Sequence, residues 1–571
     1  MQSPARAIQD CTTLALEDGL CRSKASWAAV AAHACGSGDV TSVTVAARCS
    51  NGRFAKAAAL CCVATSLVCC QTAAGFSVTD ADACAGSAYA ASRCASTVCC
   101  GTPAGAGLTS LDGCLPSDRL PMAACEGGGA GPSSPVVDTA QDRCFDASAE
   151  IPCATPGSAW GGQDAWYQGA QPSLTDNGDG TVTDGVTGLM WQKSPGPKVT
   201  YAQAQAGAAS LTLAGHSDWR LPTIKELYSL IRFDGIEPSC CETLAMCPNI
   251  QPFLDNTVLD FAYGDTTTGD RVIDAQYASS TVYVGSSELG TLAFGVNFAD
   301  GRIKGYPTGM VGGKTMTLFA RYVRGAAYGD NAFVDNGDGT VTDQATGLTW
   351  LQEDSGAFGA AGLDWKEALQ WAESLEFAGH DDWRLPTAKE LQSIVDYGRS
   401  PASSSSPALD PVFQATPILD EGGASTWGYY WTGTTHVDAA GGGSKAVYVA
   451  FGEAKGFMQD PFGKVQLVDV HGAGAQRSDP KAGDPASYPY GEGPQGDVIR
   501  IYNLVRPVRG GVTAGAVTPA TYIPGPGANQ CGGAGGPSGI AMCGQVPVGL
   551  PCCGDGFCGG PETKTNCPAD C

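Results

Sequence analysis

Charge is scarce in this chain. Asp, Glu, Lys and Arg make up 16% of the 571 residues, against about 25% in average soluble proteins. What charge there is runs one way, 33 basic against 57 acidic side chains for a net −24. A field of that sign repels nucleic acid and anionic membranes and keeps a loop-rich chain soluble, so nucleic acid is excluded as a partner. No run of about 18 apolar residues is present, and membrane insertion is not expected. Histidine is limited to five residues and no Cys-x2-Cys knuckle occurs, so zinc sites do not explain the cysteines. Residues 1–10 are short and polar rather than leader-like; a trimmed leader, a misplaced start or another export route all stay open.

Glycine and cysteine are abundant. The 78 glycines point to turns and loops rather than long helices. Of 26 cysteines, 16 precede residue 160, three lie between Cys240 and Cys247, and seven follow residue 530. Sulfur at that density is a disulfide scaffold of an oxidising compartment, which places the protein outside the cell or on its surface. Three cysteines in one region and seven in another cannot each pair internally. The expectation is a bridge from the tail to the Cys240–Cys247 region, or one free thiol in each.

The chain length suggests about three to five domains, and the middle of the chain is one domain written twice. Gly215-His216-Ser217-Asp218-Trp219-Arg220-Leu221-Pro222-Thr223 returns as Gly379-His380-Asp381-Asp382-Trp383-Arg384-Leu385-Pro386-Thr387. Before each copy stands Asp-Asn-Gly-Asp-Gly-Thr-Val-Thr-Asp, at Asp176 and Asp335. Its Asn-Gly and Asp-Gly steps read as a β-hairpin. Both loops lack the first and last ligands of an EF-hand, where Thr175 and Val186, or Val334 and Ala345, would stand. A helix follows, capped by Thr200 or by Asp364 with Glu367, and is expected to stop near Gly215 or Gly379. A second helix starts at Thr223 with Glu226, and at Thr387 with Glu390, as capping boxes. Strand-like stretches Tyr277–Val284, Leu292–Phe298, Tyr429–Thr435 and Ala446–Phe451 come next. The fold class is α+β, with two tandem domains flanked by small disulfide-rich modules. The division is 11–125, cysteine-rich and composed of two small units; 126–170, a linker with a Cys144/Cys153 loop; 171–326 and 330–511, the two copies; 512–530, a Gly/Pro linker; and 531–571, a cysteine-rich end.

His216 and His380 lie near Asp218 and Asp382, but no Ser or Cys recurs beside both histidines, so a nucleophilic triad lacks its first member. The second copy has no cysteine at all. Trp219 and Trp383 read as core, and Arg220 and Arg384 as partners of a buried acid. For ligand binding, the aromatic run Trp427, Tyr429, Tyr430 and Trp431 with His436 offers anchors for a sugar or a protein; the alternative is that alternate members fill the core.

These words together resemble the Lcl carboxy-terminal domain family, named after a bacterial collagen-like adhesin. The resemblance rests on the hairpin word, Thr-Gly-Leu-x-Trp, Trp-Arg-Leu-Pro-Thr-x-x-Glu-Leu and a closing Val-Arg-Gly, over residues 172–325 and 331–510. It implies a C-type-lectin-like fold related to the formylglycine-generating enzymes and used in extracellular adhesion. The family's namesake is linked to sulfated glycosaminoglycan and matrix binding. The collagen-like repeat that accompanies the domain there is missing here, and a charge of −24 opposes a polyanion. The last twenty residues resemble short modules at the ends of exported bacterial proteins. Their Asp555, Glu562 and Asp570 are candidate calcium ligands, or solvated turn residues; no cofactor is otherwise required. The expected function is non-enzymatic recognition of an extracellular glycan or protein, with self-association open. The rivals are an architectural subunit of an envelope or appendage and an enzyme related to the formylglycine-generating proteins.

Overall fold

The computed structural model describes residues 132–515 apart from 239–240, 247–248, 288, 312–313, 440–441, 460–463 and 494, together with the backbone of strands between Val40 and Leu120. The chain forms two compact units, Met1–Gly101 with Ala106–Gly129, and Thr102–Gly105 with Ala130–Cys571. In the N-terminal region, strand Val40–Arg48 pairs antiparallel with Phe54–Cys62. Leu67–Thr72 and Thr97–Thr102, which carry Cys69-Cys70 and Cys99-Cys100, are each the middle strand of a three-stranded sheet. The cysteine pairings expected there and the module at 531–571, with Asp555, Glu562 and Asp570, lie outside the described residues. Cys144–Cys153 is a disulfide, closing the expected loop, and Cys241 is disulfide-bonded as well.

The first copy runs β1 (Leu174–Asp176), β2 (Thr181–Asp184), β3 (Met190–Gln192), α1 (Tyr201–Ser210), α2 (Ile224–Ser229), β4 (Gln276–Val282), β5 (Leu292–Asn297), β6 (Arg302–Pro307) and β7 (Val323–Arg324). The second repeats it as β8 (Phe333–Asp335), β9 (Thr340–Asp343), β10 (Leu348–Leu351), α3 (Trp365–Glu373), α4 (Ala388–Ser393), β11 (Tyr429–His436), β12 (Lys445–Ala450), β13 (Gln476–Pro480) and β14 (Val508–Arg509). The α+β expectation holds. Each hairpin turn uses its glycines at positive φ, Gly178 at 75° and Gly180 at 90° in the first copy, and Asp176 and Asp179 accept backbone N–H bonds within the turn. Their oxygens hold the hairpin, as the turn reading requires. The helices end earlier than expected, at Ser210 and Glu373. Gly215 and Gly379 instead close the small turns Leu213–His216 and Phe377–His380, whose ends bond to each other.

The two copies are not separate bodies. Their strands form one six-stranded sheet in the order β4-β5-β6-β13-β12-β11, joined where Ile303 of β6 faces Gln476 of β13. The physical reason is edge closure. Each copy alone would leave β6 or β13 with unpaired N–H and C=O groups, and the sister copy's edge satisfies them. Helices α2 and α4 cover one face over a core shared by both copies, with Trp191, Leu227, Phe294 and Ile303 beside Trp350, Leu391, Tyr430 and Val447. Helices α1 and α3 cover the other face over a separate core in each copy. The stretch expected as a linker before the repeats is also packed, with Val137, Phe145 and Asp164 buried. Gln141 shows why: its side chain donates to Phe233 O at 3.2 Å and to Thr435 O at 2.7 Å, and accepts from Thr435 N at 2.8 Å, tying one copy to the other.

Candidate functional site

The repeated word builds a brace. Thr223 and Thr387 accept from the N–H of Glu226 and Glu390, whose carboxylates return to the threonine N–H groups. Those carboxylates also take a two-pronged bond from an arginine, Arg220 to Glu226 at 2.5 Å twice and Arg384 to Glu390 at 2.7 Å twice. Trp219 and Trp383 are buried, each indole N–H donating to a backbone carbonyl at 3.2 Å. All eight residues act as expected from the sequence, locking the start of a six-residue helix too short to hold itself. Of the aspartates near these histidines, Asp218 pairs with Arg324 and Asp382 with Arg509.

The aromatic run proposed for ligand binding is core instead. Tyr429, Tyr430, Trp431 and His436 are buried, and Trp427 is half-buried. Strand β11 is covered on both faces. Tyr429 and Trp431 pack with Trp365 and Leu369 of α3, and Tyr430 joins the shared core with Leu391 of α4. His436 stacks on Phe253 at 5.3 Å and bonds Asp300 O at 2.7 Å. Burial and the nearby Arg302 push its imidazole down to about 3, so it is neutral.

Polar groups bridge the copies. Lys225 Nζ donates to Ser393 O at 2.7 Å, and its counterpart Lys389 Nζ donates to Ser229 O at 2.9 Å, a reciprocal pair across the pseudo-twofold axis. Burial lowers these amines to about 8 and about 7. Tyr283 donates to Asp469 at 2.6 Å across the same seam. Asp164 accepts from the hydroxyls of Thr139 and Thr434; burial, reinforced by the charge of Asp138, pushes its carboxyl up to about 8. Because the folded value lies above that of a free carboxyl, Asp164 adds stability in full below about pH 4, and this is lost as pH climbs through about 8. Asp164→Asn removes that loss. Thermal melts from acid to mild alkali should show the variant gaining on the wild type as pH rises; a constant gap between the two curves would contradict the assignment. Lys389 has the opposite sign, its contribution lost as pH falls through about 7, and it is common to both proteins.

Among the described residues, an exposed cluster of three rings stands out, and the sequence reading missed it. Trp191 answers to Trp350 and Thr200 to Asp364, so the second copy carries five extra residues between them. That insertion forms the short turn Ser355–Phe358, with Asp354 as its cap. It lifts Phe358, 40% exposed, over two half-buried rings, Trp371 of α3 at 6.0 Å and Phe377 at 5.7 Å between centroids. Phe377 in turn lies against the hairpin glycine Gly339. The first copy has Gly207 and Leu213 at the matching positions, and a Cβ at Gly207 would fall 2.1 Å from the Tyr322 hydroxyl. Aligning the two copies position by position exposes this difference. Glu367 one helical turn before Trp371, Glu376 beside Phe377 and Asp338 beside Gly339 are all exposed. Chemically the cluster offers apolar faces with negative quadrupoles, with carboxylates close by along the chain.

A duplicated α+β scaffold with an asymmetric aromatic surface is the class that fold and site define. Residues 180–324 and 339–468 match the Lcl C-terminal domain, so the chain holds two such domains in tandem. No curated protein and no solved structure matches it. Among the described residues, no group of three or more His, Cys, Asp or Glu could hold a metal ion, and no helix is long and apolar enough to cross a membrane.

Proposed function

We propose that this is an exported, non-enzymatic binding protein that recognises a glycan or protein outside the cell, on a C-type-lectin-like scaffold, through the ring cluster of its second copy. The observation that carries the reading is the exposed Phe358 with Trp371 and Phe377, a surface the sister copy lacks at every one of those positions. Exposed aromatic rings on a rigid scaffold supply contact area with little conformational entropy to lose. The disulfide Cys144–Cys153 supports export. The insertion loop is anchored to the shared core through its cap Asp354, which accepts from the Tyr430 hydroxyl, and this supports the scaffold role. Screening the full chain on glycan and matrix-protein arrays should give a binder whose affinity falls about tenfold or more in Trp371→Ala or Phe358→Ala. Both variants should keep the wild-type melting profile to within a few degrees. A binder indifferent to both substitutions would place recognition elsewhere.

A further inference from the structure

We infer that the ring cluster takes a cationic segment of a partner protein, with lysine or arginine side chains laid over Phe358 and Trp371 and their charges met by Glu367, Glu376 and Asp338. This rests on the reading that the ring cluster is the binding surface. The charge argument comes from comparing the copies. Residues 353–382, which supply all three rings, contain eight Asp and Glu against the single Lys366. The matching residues 194–218 of the first copy contain Asp218 and Lys198 alone. Lys366 is turned away over Trp160, 5.5 Å from that ring's centre.

Five of the eight acids are already engaged, among them Asp364 and Glu367, each accepting from the other's backbone N–H at the start of α3, Glu367 through one carboxylate oxygen only. Asp354 is buried and accepts from Thr416 and Tyr430, Glu373 accepts from Tyr167, and Asp382 pairs with Arg509. Glu367 sits one helical turn before Trp371 and so shares its face. Glu376 precedes Phe377, and Asp338 precedes the Gly339 on which Phe377 rests. Among the described residues, no Lys or Arg pairs with any of these three carboxylates. Gln203 and Thr212 occupy the places of Glu367 and Glu376 in the first copy, so acid and aromatic ring arrive together. A cation over an aromatic face is attracted by the ring quadrupole, and nearby carboxylates add to that attraction. A sulfated chain would meet repulsion from the same groups. The three rings pack edge to face, 6.0 and 5.7 Å between centroids, and so form one contiguous patch for a cation to approach.

The test uses the full chain, with fluorescent peptides of alternating Arg-Ser and alternating Glu-Ser as probes and a panel of neutral glycans beside them. The Arg-Ser peptide should bind and the Glu-Ser peptide should not. Binding should weaken about three- to tenfold in Glu367→Gln/Glu376→Gln, weaken with added salt, and weaken again in Trp371→Ala. The glutamines lie at exposed positions, and an unchanged melt confirms their fold. No Arg-Ser binding, or binding insensitive to the glutamine pair, overturns the inference. If a neutral glycan binds instead, is lost in Trp371→Ala and ignores both salt and the glutamine pair, the ring cluster stands as the binding surface and the cationic partner falls. If every probe that binds ignores Trp371→Ala, both readings fall.

Discussion

Residues 330–511 produced alone should fail to give a stable monomer. Without the first copy, β13 loses its partner β6, and the strand edge it exposes either aggregates or pairs with a second molecule. The shared core loses Leu227, Phe294 and Ile303 as neighbours. Ser393 O loses its bond from Lys225, and Thr435 loses the bond its carbonyl accepts from Gln141 and the one its N–H donates to Gln141. Each large apolar side chain returned to water costs about 1.5–3 kcal/mol, and a domain's whole margin is about 5–15 kcal/mol. Removing one half of such a core therefore exhausts that margin. Light scattering and near-ultraviolet circular dichroism will show aggregate, molten chain or homodimer. A monomer that melts as sharply as the intact protein would refute the fused architecture.

Arg384→Ala should be the most damaging single change in the repeated word, at about 3–5 kcal/mol. Its side chain is 2% exposed, against 36% for Arg220. It holds Glu390 with two bonds and donates to Gly510 O at 3.0 Å, so its loss leaves a buried carboxylate without a counter-ion. Arg220→Ala also strands a buried carboxylate, Glu226, but the arginine it removes is 36% exposed, so water enters in its place and the cost should be about 1–3 kcal/mol. Denaturant melts of the two variants measure the difference. Equal losses in both copies would contradict the assignment of burial as the cause.

Much of each copy was legible in the sequence. Asn-Gly and Asp-Gly demanded the hairpins, and Thr223 with Glu226, or Thr387 with Glu390, announced a helix start through a local rule that tertiary contacts do not change. The arginine after each tryptophan was rightly assigned to a buried acid. What the sequence hid was the relation between the copies. The seam strands read Arg-Ile-Lys-Gly-Tyr-Pro and Gln-Arg-Ser-Asp-Pro. Charge, glycine and proline mask any strand signal there, because both strands gain their place from pairing with each other. The run from Tyr429 to His436 misled for a related reason. A strand with helices on both faces buries successive side chains, not alternate ones, so aromatic density there marked core. The ring cluster escaped because Phe358, Trp371 and Phe377 come from a turn, a helix and a loop.

Coupling between the copies is the central claim, and amide hydrogen exchange on the intact chain tests it most directly. With Arg384→Ala placed in the second copy, protection of Leu292–Asn297 in the first should fall about a hundredfold or more, together with that of Lys445–Ala450. Unchanged protection in Leu292–Asn297, with loss confined to the second copy, would show two independent domains and contradict the account.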